Sequence, residues 1–315
     1  MYSIKRANTF LVYLFICQFI LAIIWQFLTS ALNIGYAYDM ILSQSFVFGV
    51  PAIIYFLITK QNVKEVLSIK PISILNILII IGISIFVQPF IGLISGITSL
   101  FFQNAVSAMI SETIDVPLWL MIVSTALTPA IYEEIIFRGI IFNGYKTTSL
   151  LKACIMCGFL FAMMHMNAQQ FLYTFVMGIL FSFFVYKTKS IFSSIISHFT
   201  INASQIILSN IALSNLTKAE AIEASLNPSI SDAIASIFSM LLIFVITLPI
   251  LILLIWAFLK VNKNSNETTT DIIYYNLPKE QQEPICNISL AIIVAIFSIQ
   301  VIILPLLIKV LTIIS

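Results

Sequence analysis

The chain reads as a series of long apolar runs broken by short polar stretches. The runs fall at roughly residues 9–29, 41–59, 74–94, 118–145, 151–167, 169–186, 191–211, 234–259 and 288–308. Crossing a hydrocarbon core takes about 20 apolar residues in helical form, since lipid offers no partner to backbone N–H and C=O groups and a helix satisfies them internally. Each run is near that length. The pattern therefore predicts an all-α fold, a polytopic transmembrane helical bundle of about nine spans. The last run is set off by a polar hinge from Asn262 to Pro284 and is followed by Lys309, so an eight-span bundle is the alternative. One continuous membrane domain is expected, divisible into N-terminal helices (1–116), a central helical core (117–209) and C-terminal helices (210–315). No internal repeat or low-complexity tract is visible, so nothing points to the inverted repeats of transporters.

Composition supports a membrane solvent: 60% of the 315 residues are hydrophobic and 9% are charged. The net charge of +2 excludes a nucleic-acid partner, and the basic residues have a different pattern. With the N-terminus inside, Lys5 and Arg6, then Lys60, Lys64 and Lys70, then Lys146 and Lys152, then Lys187 and Lys189, then Lys260, Lys263 and Lys279 all fall on the cytoplasmic face. The opposite loops carry Asp39, Glu112, Asp115, Glu220, Glu223 and Asp232 against a single Lys218. This is the asymmetry that sets orientation. Thirteen lysines against two arginines, with abundant Ile and Asn, suggest an AT-rich bacterial genome and hence a multi-pass protein of the cell membrane.

The N-terminal run resembles a signal peptide but is too long and lacks a small-residue cleavage site, so it reads as a retained helix. Cys17, Cys154, Cys157 and Cys286 lie in or beside apolar runs and imply no disulfide framework. The CxxC of Cys154 and Cys157 has no second pair and reads as packing.

Ionisable groups inside spans are costly and mark function, so those that fall within runs carry the chemistry. Glu133, Glu134 and Arg138 lie in the fourth run, within TPAIYEEIIFRGIIF. His165 lies in the fifth and His198 in the seventh, and the chain has no other histidine. Counted from Lys146, Lys152 and Lys189, Glu133, His165 and Asn202 are each 13 residues deep, which puts three helices' polar groups at one level. Glu134 and Arg138 are i,i+4 neighbours suited to a supporting ion pair. Glu133 is turned about 100° away and is the candidate general base, since loss of water favours proton uptake by a carboxylate. His198 and Asn202 share a face at i,i+4, where a ring N–H and an amide could bind an oxyanion, and His165 could orient a water beside Glu133.

These residues also resemble a known family. Glu133-Glu134-Ile-Ile-Phe-Arg138 fits EExxxR, Phe161-Ala-Met-Met-His165 fits FxxxH, and His198-Phe-Thr-Ile-Asn202 fits HxxxN. Their order is similar to that of the intramembrane CPBP proteases, which include type II CAAX prenyl endopeptidases and bacteriocin-processing or immunity proteins. The resemblance implies peptide-bond hydrolysis in a chamber between helices. It gives Glu133 as base with His165 beside it, His198 and Asn202 as oxyanion donors, and Glu134 with Arg138 as support. The implied partners are a peptide or membrane-tethered protein substrate and the bilayer. The family is described both as metal-dependent and as using glutamate-activated water. His165, His198 and Glu133 are candidate zinc ligands, but no HExxH or similarly compact set is present, and the sequence leans toward chemistry without a metal. A noncatalytic immunity or scaffold protein and a proton-coupled transporter are the competing classes.

Overall fold

The computed structural model describes residues 3–102 (except 31 and 33), 113, 115–214, 220, 229–263 and 283–307. Glu112, Lys218, Glu223 and Lys279 of the charge pattern lie outside these, as does Lys309. So does most of the hinge from Asn262 to Pro284.

The protein is an all-α bundle with no strand among the described residues. Among the described residues nine long helical segments carry it, besides a short turn of helix at Val63–Val66: α1 Ile4–Thr29, α2 Tyr36–Thr59, α3 Ile74–Ser99, α4 Leu118–Thr147, α5 Leu150–Met164, α6 Ala168–Thr188, α7 Phe192–Leu213, α8 Ile230–Val261 and α9 Ile288–Leu307. Seven of them are long and apolar enough to cross a membrane, and α5 and α7 are the exceptions. The nine predicted runs thus exist as helices, but two depart from the simple span.

Helix α5 has 15 residues and rises about 22 Å, short of a full hydrocarbon core. It stops at His165 because Met166 adopts a left-handed φ of 48° and Asn167 caps the next helix by accepting from Gln170 N–H at 3.0 Å. Helix α7 has length enough at 22 residues, but Ser193, Ser194, Ser197, His198, Thr200, Asn202 and Ser204 dilute its apolar character. Its neighbours offset this. Ser193, Ser194 and Ser197 are fully buried, and Ser197 and Ser84 of α3 share a hydrogen bond of 2.7 Å.

Helix α4 is the axis of the bundle and packs against α1, α2, α5, α6 and α7. Half of its apolar stretch is buried by other helices, against 6% in α8, which turns its side chains outward toward lipid. Two stretches of α4, Val123–Leu127 and Ile135–Ile141, are wound as π-helix, a widening often found at functional sites. The third span is broken near Pro89 into Ile74–Phe86 and Gln88–Ser99, and its Gly92 and Gly96 receive Met240 and Ile237 of α8.

The closest backbone approach at any described glycine joins α5 to α6. A Cβ placed on Gly178 would stand 2.5 Å from Gly158 Cα, and one on Gly158 would stand 2.8 Å from the Phe175 carbonyl. Neither obstacle is a flexible side-chain end, so only glycine permits this approach. Gly178→Val is expected to push the helices apart and lower Tm by several degrees or abolish folding, because overpacking a close contact costs about 1–3 kcal/mol or more. Gly35→Ala is the matched control, since its Cβ would meet nothing nearer than Tyr38 Cδ2 at 4.0 Å. Thermal unfolding of both variants in detergent checks this.

Candidate active site

The site is built around the only charged residues that α4 buries completely. Arg138 Nη1 donates to Glu134 Oε1 at 3.0 Å, with both side chains removed from solvent. The same oxygen meets His198 Nδ1 of α7 at 2.9 Å. A carboxylate held by an arginine can only accept, so Nδ1 is the protonated nitrogen and the remaining lone pair of a neutral ring is on Nε2. Arg138 Nη2 reaches across to the Gly178 carbonyl of α6 at 3.2 Å, which the glycine contact with α5 has brought into range. One guanidinium thus ties α4 to α6, and through Glu134 to α7.

Aromatic rings complete the enclosure. The Arg138 guanidinium carbon stands 4.3 Å from the Phe161 ring centroid and 5.0 Å from that of Phe181. Stacking of this kind offsets part of the loss of water around the cation. Phe181 lies nearly parallel to the His198 ring at 5.2 Å. Phe161 presents its edge or face to both histidines, at 4.8 Å from His165 and 6.1 Å from His198.

His165 stands at the C-cap of α5 rather than inside the helix, a correction to its predicted position within the fifth span. Its own N–H turns to Ala162 O, so it is not the i+4 helical donor of the Phe161 carbonyl. The His165 ring meets that carbonyl instead, with Nδ1 2.9 Å from Phe161 O. A carbonyl only accepts, so Nδ1 carries the proton here too and the lone pair of the neutral ring is on Nε2.

Glu133 is only partly buried and makes no hydrogen bond or ion pair with this network. Its Oε2 is enclosed but has no hydrogen-bond partner among the described residues. An unpaired carboxylate oxygen facing the interior of a helical bundle is costly unless something binds it. Asn202, one turn beyond His198, donates from Nδ2 to the Thr125 carbonyl of α4 at 3.4 Å.

The structure therefore links Glu134, Arg138, His198 and His165 through hydrogen bonds and contacts with the Phe161 ring, leaves Glu133 as the free acid next in sequence, and ties Asn202 to the α4 backbone. Sequence reasoning missed Phe181 and Gly178. Gly178 and Phe181 lie 40 and 43 residues beyond Arg138, and no local pattern marks them. Cys154 and Cys157 are buried free thiols, and Cys157 donates to the Phe137 carbonyl at 3.1 Å, in keeping with packing.

A metal would need ligands gathered around one point. Both histidines donate from Nδ1 and leave Nε2 for another partner, which is the arrangement of many ligating histidines. Yet no three His, Cys, Asp or Glu side chains among the described residues converge to hold an ion. The candidate set His165, His198 and Glu133 does not form a compact site in this geometry.

Fold and site together define a polytopic helical membrane protein with a buried Glu, Arg and His network at its centre. Residues 115–204 match the family model described as "Rce1-like: Type II CAAX prenyl endopeptidase Rce1-like". The chain is also 33% identical over 90 residues to the protein named "Putative membrane peptidase YdiL" of Bacillus subtilis (strain 168). That stretch covers 28% of this chain and 37% of the relative, so the match spans little more than a third of the relative's length. No solved structure gives a significant match. The central segment is thus similar to membrane proteases of the CPBP type, over nearly the same residues that carry the three motifs.

Proposed function

We propose that the chain is an intramembrane endopeptidase that hydrolyses a peptide bond in a hydrophobic or membrane-tethered peptide, using water activated by Glu133. The observation that carries this reading is the division of labour between adjacent glutamates. Glu134 is held at one oxygen, Oε1, by both Arg138 and His198, whereas Glu133 has no hydrogen-bond or ion-pair partner among the described residues; the Oε2 of each is enclosed and unpartnered. One is fixed as a support and the other is free to take a proton.

In the proposed reaction Glu133 accepts a proton from water as the oxygen attacks the peptide carbonyl carbon. The developing oxyanion is met by donors from α7. The Glu133 proton then passes to the leaving amine, so water is consumed and an acid and an amine are released. Glu134 holds His198 at Nδ1, so Nε2 donates to an oxyanion only when the ring carries both protons. His165 Nε2 is available to accept from the attacking water. Substrates in keeping with the setting are a CAAX-like C-terminus, a leader peptide, a pheromone precursor or a bacteriocin. The positive-inside pattern supports a cytoplasmic N-terminus in a bacterial cell membrane, and the resemblance to the CPBP proteases implies a chamber opening toward that side.

Comparing membrane-associated and secreted peptides from cells carrying the intact protein with those carrying Glu133→Ala tests this reading. New peptide termini present only with the intact protein are expected. Identical peptide sets from both cells, with equal protein levels in the membrane, would sink it.

A further inference from the structure

Helix α4 has a gap in its hydrogen-bond ladder. Pro129 has no N–H, so the Thr125 carbonyl, four residues earlier, lacks its helical donor. The residue before the proline does not help: Thr128 sends both its backbone N–H and its Oγ1 hydroxyl to Val123 O, the latter at 2.8 Å. An open carbonyl inside an apolar span has no water to turn to. The donor comes from another helix, as Asn202 Nδ2 of α7 meets Thr125 O at 3.4 Å. Because a carbonyl can only accept, this contact decides which way the Asn202 amide points: nitrogen, and not oxygen, faces α4. One N–H of the amide is engaged and the other stays available.

Asn202 stands one turn beyond His198, whose Nδ1 is held on α4 by Glu134. Two successive turns of α7 are therefore fixed to the same helix, one through a carboxylate and one through a backbone carbonyl that a proline keeps open. We propose that Pro129 is a positioning residue: by leaving the Thr125 carbonyl open, it orients the Asn202 amide so that its second N–H donates within the site. The role of that N–H in catalysis rests on the peptidase reading above, while the Pro129, Thr125 and Asn202 coupling does not.

Pro129→Ala returns an N–H to position 129 and gives Thr125 its helical partner, which is a change that favours the helix. Tm is expected to stay the same or rise. Asn202→Ala in the otherwise intact protein leaves a carbonyl bare and is expected to lower Tm by several degrees. Combined with Pro129→Ala it is expected to lower Tm hardly at all. This arm needs no substrate, and equal Tm losses in the two backgrounds overturn the coupling.

The second arm uses a set of acyl-anchored, quenched-fluorescent peptides, taking the member that the intact protein cuts fastest. Pro129→Ala is expected to lower kcat about 10- to 100-fold with KM unchanged, as a misplaced donor does. In the Asn202→Ala background it is expected to lower kcat no further. An unchanged kcat for Pro129→Ala, or the same loss in both backgrounds, overturns the positioning role. Glu133→Gln run alongside separates the two readings: if it cuts normally the peptidase reading fails, and the Tm arm alone then decides whether the coupling stands.

Discussion

Purified Glu133→Gln protein is expected to fold and melt like the intact chain yet cut its peptide about 100- to 10,000-fold more slowly, the usual range for loss of a general base. Glutamine keeps the shape of the side chain but cannot take the proton. Glu133 makes no hydrogen bond at its enclosed Oε2, so no folded-state contact is removed there. Glu134→Gln is expected to behave in the opposite order. Its amide can still accept from His198, but the buried Arg138 loses its counter-charge, so Tm falls first and activity falls as a consequence. Two adjacent residues of the same type then fail in distinguishable ways. Cleavage of a quenched-fluorescent peptide, read beside thermal unfolding, measures both. Full activity of Glu133→Gln would end the proposed mechanism, and equal Tm losses in the two variants would end the division of labour.

The parts of the site legible in the sequence are those written at helical spacing. Glu134 and Arg138 at i,i+4 are the observed ion pair, although part of the intervening turn is π-wound. The apolar runs are the observed helices, because a membrane solvent imposes one length and one composition. Hidden from the sequence was whatever depends on two helices meeting. The engagement of His198 with Glu134 joins residues 64 apart and turns a residue read as an oxyanion donor into one whose Nδ1 is already committed. The shortness of α5 follows from a left-handed Met166 and the Asn167 cap, features that an apolar count passes over. Gly158 and Gly178 are unremarkable in sequence, yet their contact sets the reach of Arg138 to α6.

Arg138→Met is expected to have the largest effect on stability of any single change at the site. Arg138 is 1% exposed and Glu134 is fully buried, so removing the guanidinium leaves a carboxylate with neither water nor counter-charge. Breaking one side of a buried pair costs about 3–5 kcal/mol, a large share of the roughly 5–15 kcal/mol that holds a typical domain. The contacts to the Gly178 carbonyl and the Phe161 and Phe181 rings go with it, so α6 also loses its tie to α4. Little folded protein is expected, read as aggregation on size exclusion and a Tm lowered by many degrees. Adding Glu134→Leu removes the stranded charge and is expected to recover a substantial part of the Tm, because a buried pair replaced by apolar side chains is often tolerated. The double variant is still expected to be inactive. His198 would have no acceptor for Nδ1, and nothing would fix its ring against α4. Recovery of stability without recovery of cleavage would place the pair in support of the site. Recovery of both would mean that His198 needs no anchor, and loss of both would mean that Arg138 acts mainly through its contacts with α6.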